Sequence, residues 1–136
     1  MKIAVDFDGT IVEHKYPEIG KEKPFAIQCL RQLQQEGHLI ILWTSREGEL
    51  LEQAVAFCHD RGLDFYAVNC NQPEDALFKR DSSKVIADVY IDDHNLGGIP
   101  DWNEIYDMIG TMREERHARR QRRSLLGRLG LFHKQK

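Results

Sequence analysis

An apolar run that ends on two carboxylates constrains this chain more than any other stretch. Lys2-Ile3-Ala4-Val5-Asp6-Phe7-Asp8-Gly9-Thr10 reads as a strand that stops at Asp6. Near-continuous apolar character suits a central strand covered on both faces, the habit of parallel sheets. Open α/β sheets place their chemistry at the carboxyl ends of such strands. Asp6 and Asp8 lie two apart, so an extended chain points both to one side. Two adjacent carboxylates repel, and burying them unpaired is expensive. A divalent cation removes that cost, and oxygen ligands completed by water suit Mg2+. The plainer alternative is a strand running into an Asp-Gly turn.

Further along, strands and helices alternate. Residues 11–23 show no clean period and read as a loop or flap beside the carboxylates. Pro24 is expected to open a helix in its first turn, with Phe25, Ile27, Leu30 and Leu33 as the apolar stripe and Gly37 as the stop. Residues 38–43 form a second strand, with Thr44-Ser45-Arg46 at its end. Ser45 is expected to cap a helix over 47–61, which Gly62 stops. Residues 65–68 form a short third strand. A polar stretch over 71–83 leaves room for one helical turn. The last strand spans 85–91 and closes on Asp92-Asp93. Asp101 and Glu104 then read as the capping box of a final helix. This order implies an α/β fold with a mostly parallel sheet and right-handed crossovers.

Charge divides the chain. Residues 113–136 carry nine Lys/Arg and two acids, a balance of +7, while the whole chain is −3, so residues 1–112 carry −10. We read 1–112 as one acidic domain and 113–136 as a basic helical extension. The acidic body argues against broad nucleic-acid binding by the domain itself, though not through the tail. The tail is otherwise a solvated segment, a dock for the acidic body of another subunit, or a handle for nucleic acid or an anionic membrane surface. Three widely spaced cysteines, Cys29, Cys58 and Cys70, make no Cys-x-x-Cys pair and no disulfide framework. Cys29 and Cys58 fall on helical core faces. The sequence shows neither a leader nor an apolar run of membrane-spanning length, so a cytoplasmic setting is expected.

Asp92 and Asp93 end a strand as Asp6 does, so two strands deliver acids to one sheet edge. Thr44 brings a hydroxyl to that edge, and Lys84 stands just before the last strand. Acids, a hydroxyl and a lysine together suit a metal and a phosphoryl group. Lys79 and Arg80 compete with Lys84 for the cationic role. Asp88 reads as a surface acid, His14 and His38 as structural or exposed, and Trp43 and Trp102 as core.

These residues resemble the four motifs of the haloacid dehalogenase superfamily of phosphohydrolases: Val5-Asp6-Phe7-Asp8-Gly9-Thr10, Leu42-Trp43-Thr44, Lys84 and Ile91-Asp92-Asp93. The resemblance covers residues 2 to about 110. The segment 84–93 is similar to the deoxyribonucleotidase branch, from which His94 departs where that branch has an Arg. The resemblance implies a three-layer Rossmann-like fold and a Mg2+-dependent phosphatase. Asp6 would be the nucleophile that becomes an aspartyl-phosphate. Asp8 would be the acid and then the base. Mg2+ would be held by Asp6, the Asp8 backbone carbonyl and Asp92 or Asp93, with Asp93 favoured. Thr44, with Ser45 as runner-up, would hold a phosphoryl oxygen, and Lys84 would steady the nucleophile and the transferred group. Only 33 residues separate Thr10 from Thr44 and 39 separate Thr44 from Lys84, too few for an inserted cap domain. Cap-less members leave the site open, suited to large substrates or to cover by a neighbouring subunit. A nucleic-acid end phosphatase, or a non-catalytic module that holds a phosphorylated partner, are the other functions these residues allow.

Overall fold

Four apolar runs of the sequence, each ending on a polar residue or close to one, contribute the strands of one sheet. In the computed structural model, which describes residues 1–77 and 85–130, these are β1 (Lys2–Val5), β2 (Leu39–Leu42), β3 (Ala67–Val68) and β4 (Val89–Ile91). All pair in parallel in the order β3-β2-β1-β4. The helices are α1 (Ala26–Gln35), α2 (Gly48–Asp60), α3 (Pro73–Leu77) and α4 (Trp102–Arg128). The expected α/β architecture with a parallel sheet is therefore observed, of the Rossmann-like three-layer kind.

Burial follows the strand pattern. Ile3, Val5, Ile40 and Leu42 are fully buried. They alternate along their strands with Ala4 and Ile41, which pack with Ala67, Cys70 and Val85 on the opposite face. Both faces of β1 and β2 are thus covered, which explains their unbroken apolar sequence. Fully burying each of these large aliphatic side chains contributes roughly 1.5–3 kcal/mol. Phe7, just past β1, meets the edge of the Phe57 ring from α2 with centroids 5.9 Å apart.

Local chemistry corrects several expected boundaries. Pro24 does not open α1: Phe25 occupies the N-cap position at φ 65, outside helical space, with an exposed ring. The helix end is served instead by Glu22, whose Oε1 accepts the Ile27 N–H at 3.1 Å. Ser45 does not cap α2. Glu47 stands at the N-cap without a side-chain bond, because the preceding turn closes on Thr44, whose Oγ1 accepts the Arg46 N–H at 3.2 Å. The stops are as expected: at φ 93 and 83, Gly37 and Gly62 take the left-handed turns that end α1 and α2. The last strand is shorter than its apolar run. Val85 is buried, but residues 85–87 are tied by side chains: Asn71 Oδ1 accepts the Ile86 N–H, and the Tyr90 hydroxyl donates to the Val85 carbonyl. The third strand likewise keeps only two of its four expected residues.

The chain forms two compact units, Met1–Asn103 and Glu104–Lys136. In the second, the Arg-rich stretch is helical to Arg128, and every side chain over 110–130 except Arg116 and Leu126 is exposed. Among the described residues, no helix is long and apolar enough to cross a membrane.

Candidate metal and phosphoryl site

The sheet order puts β1 between β2, reached next in the chain, and β4, reached last. The direction of winding reverses between β1 and β4, and crevices at such reversals bind ligands. The ladder continues one step past the strands: the Asp6 N–H donates to the Ile91 carbonyl at 3.0 Å, and the Trp43 N–H to the Val5 carbonyl at 2.8 Å. Asp6, Asp92 and Trp43 are thereby held in register at one edge.

One carboxylate oxygen each from Asp6, Asp92 and Asp93, with a ring nitrogen of His94, lie within 4.8 Å of one another. The first three are the acids expected from the sequence. His94 is an addition, held by proximity to Asp92 and Asp93 at 3.4 and 3.2 Å and by its N–H to Asp92 Oδ1 at 2.9 Å. Asp93 is fixed from behind, where its N–H donates to Oγ1 of the buried Thr10 at 3.1 Å. The Thr10 carbonyl in turn accepts the indole N–H of buried Trp102 at 3.0 Å. Gly9, at φ 82, leaves the space that Asp93 uses: a Cβ there would stand 2.2 Å from Asp93 Oδ2. Trp102 is therefore core, as expected, but its N–H also braces the site.

This donor set fits a hard cation. Asp93 Oδ1 is buried and takes no hydrogen bond among the described residues; His94 Nδ1 is near enough for charge attraction but not aligned to donate. Burial, reinforced by Asp92 and Asp93, pushes Asp6 up to about 7. Such crowding of carboxylates costs free energy that an ion of charge +2 would offset. An oxygen-dominated set favours Mg2+ or Mn2+ over softer metals.

Asp8 does not join this cluster through its carboxylate. The strand ends at Val5, so Asp6 and Asp8 are not two residues of one strand. Both Asp8 oxygens instead accept from Arg46, Nε to Oδ2 and Nη2 to Oδ1, each at 2.7 Å. Asp8 raises the Arg46 pKa further above its ordinary value. Arg46 is fully buried. Its role was invisible in the sequence, since an Arg beyond a strand end is ordinarily solvated.

Thr44 is half-buried and Ser45 exposed at the end of β2. The Thr44 N–H is already taken by Asn69 Oδ1 at 2.8 Å. Asn69 itself sits at φ 52 past β3, a conformation Asn tolerates better than most residues. The Thr44 hydroxyl accepts from Arg46 and retains its own proton to donate. Lys84, Lys79 and Arg80 lie outside the described residues. Trp43, expected in the core, is 36% exposed. Asp88 is a surface acid as expected, accepting the Lys2 N–H at 2.8 Å. Cys29 and Cys58 are buried.

No family model and no curated protein matches the chain. A solved structure of a conserved protein from Bacteroides thetaiotaomicron is similar to it at 58% sequence identity, over 82% of this chain and 91% of that one, with a TM-score of 0.78. An identity of this size over nearly the whole of that protein makes this chain a member of the same family as the conserved Bacteroides thetaiotaomicron protein.

Proposed function

We propose that this chain is a Mg2+-dependent phosphatase of the haloacid dehalogenase type, which hydrolyses a phosphate monoester through an aspartyl-phosphate. The observation that carries the reading is the meeting of Asp6, Asp92 and Asp93 at the β1/β4 reversal, with Thr44 at the end of the neighbouring strand. Asp6, Asp93, Asp92 and the Asp8 carbonyl would hold the cation. When bound, Mg2+ supplies charge neutralisation for the acids and for the incoming phosphate.

The chain's own residues divide the remaining work. An Asp6 oxygen forms a bond to phosphorus as the bond to the leaving oxygen breaks. Asp8 gives its proton to that leaving oxygen, then takes one from the water that attacks the aspartyl-phosphate and regenerates Asp6. The Thr44 hydroxyl donates to a phosphoryl oxygen. Lys84 is assigned to the same group by the sequence motif.

Phosphate release from p-nitrophenyl phosphate, with Mg2+ and after exhaustive chelation, tests this. Turnover is expected only with the cation and is expected to vanish in Asp6→Asn, which keeps the fold. Turnover that survives chelation, or an active Asp6→Asn, overturns the mechanism. Binding of phosphate without any turnover would favour the non-catalytic module. The exposed Arg-rich part of α4 favours one substrate variant, a nucleic-acid end phosphate. A panel of end-phosphorylated oligonucleotides and phosphorylated metabolites separates these substrates.

A further inference from the structure

We propose that Arg46 is a positioning residue for Asp8, and that it makes the placement of Asp8 and the seating of the loop over residues 13–20 a single event. The inference rests on the phosphatase reading for its chemistry, and on geometry for its mechanics.

A guanidinium has five N–H donors, and Arg46 uses all five. Two hold Asp8 as a fork at 2.7 Å. Nη2 also donates to the Glu18 carbonyl at 2.9 Å, while Nη1 donates to the carbonyls of Pro17 at 3.2 Å and Leu50 at 3.4 Å. Phe7 and Tyr16 each lie with their ring centroid 5.2 Å from the guanidinium carbon. One buried cation thus connects the loop, the start of α2 and the proposed acid of the reaction.

This arrangement has a direct chemical consequence. The Asp8 carboxylate is held on Arg46 and not among Asp6, Asp92 and Asp93. Each Asp8 oxygen keeps a second lone pair outside the fork, so Arg46 can fix where Asp8 points while that oxygen carries the proton for a leaving oxygen. Two further arms of the same guanidinium grip loop carbonyls, so a loop displaced by an entering substrate pulls on Asp8. Arg is required for this: Lys offers a single compact point charge and cannot span the fork and the loop together.

The test uses Arg46→Lys and Tyr16→Ala in the full chain. Tyr16 is half exposed, so its loss leaves the core intact while weakening the loop side of the contact. Rates are measured with Mg2+ on an alkyl phosphate, whose leaving oxygen needs a proton, and on 2,4-dinitrophenyl phosphate, whose leaving group does not. Arg46→Lys is expected to lower kcat/KM, which reports formation of the aspartyl-phosphate, by about 100-fold on the alkyl ester, the usual worth of a positioned acid, and by less than about fivefold on the activated ester. On the alkyl ester KM is expected to stay within about threefold, because Arg46 does not touch substrate. Tyr16→Ala should show the same selectivity at smaller size. Amide hydrogen exchange over residues 13–20 is expected to rise about tenfold in both variants, with β1 and β2 unchanged. Equal losses of kcat/KM on the two esters, or unchanged exchange in the loop, overturn the proposal. If the wild-type chain hydrolyses neither ester, the phosphatase reading fails. Exchange still decides the mechanics in that case: unchanged protection in Arg46→Lys or Tyr16→Ala sinks the coupling, and raised protection loss sustains it.

Discussion

Replacing the proposed nucleophile should stabilise the metal-free protein. Asp6 rises from an ordinary value of 3.8 to about 7, first through burial and then through Asp92 and Asp93. An acid raised in the fold is penalised when it ionises there. Its contribution to stability is therefore full below about pH 4 and is lost as the pH climbs through about 7. A shift of about three units corresponds to about 4 kcal/mol, and partial exposure of Asp6 to water cuts this to about 2 kcal/mol. Asn has the same shape and no charge, so Asp6→Asn should recover that amount. Urea unfolding in EDTA is expected to show Asp6→Asn more stable than wild type by about 2 kcal/mol at pH 8, with a gain of only a few tenths at pH 4. At pH 8, addition of about 10 mM Mg2+ should raise the wild-type midpoint and narrow the difference, since a ligand of the folded state stabilises it by mass action. A variant less stable than wild type in EDTA at pH 8, or a gain independent of pH, would refute the reasoning.

Two further substitutions test the frame around the acids. Gly9→Ala combines a left-handed backbone with a Cβ directed at Asp93 Oδ2. It should cost about 2 kcal/mol in urea unfolding and weaken Mg2+ binding measured by calorimetry; an unchanged affinity would mean Asp93 is not a ligand. Asn69→Ala removes the acceptor of the Thr44 N–H and places Ala at φ 52. A loss of about 1.5–2 kcal/mol is expected, with a raised KM for phosphate esters, and wild-type KM would separate Thr44 from phosphate binding.

The parts legible in the sequence were those written in local periodicity. Val5 and Ile91 end apolar runs immediately before acids, so the strand ends and their carboxylates could be placed without coordinates. The parts that were not legible depend on distant chain. Nothing near Arg46 says that Asp8 and two loop carbonyls will surround it. Nothing near Asn69 says that its amide will meet Thr44, 25 residues away. His94 carries no sign of the cluster until β4 is laid beside β1. Boundaries erred for the same reason: Val85 and Phe25 look like strand and helix residues, but side-chain bonds from Tyr90 and Asn71 and a left-handed turn decide their conformations.

The two tryptophans offer an optical test of the proposed chemistry. Trp102 is dry and bonded to the Thr10 carbonyl, and the Thr10 hydroxyl holds the Asp93 N–H. Trp43 stands wet at the tip of β2, one residue before Thr44. Their emission bands therefore separate by solvent exposure, the buried indole to the blue and the exposed one to the red. On the proposed reading, filling of the acid cluster would register in the first and arrival of a phosphoryl group beside Thr44 in the second, and the two would be distinguishable in one cuvette without a label.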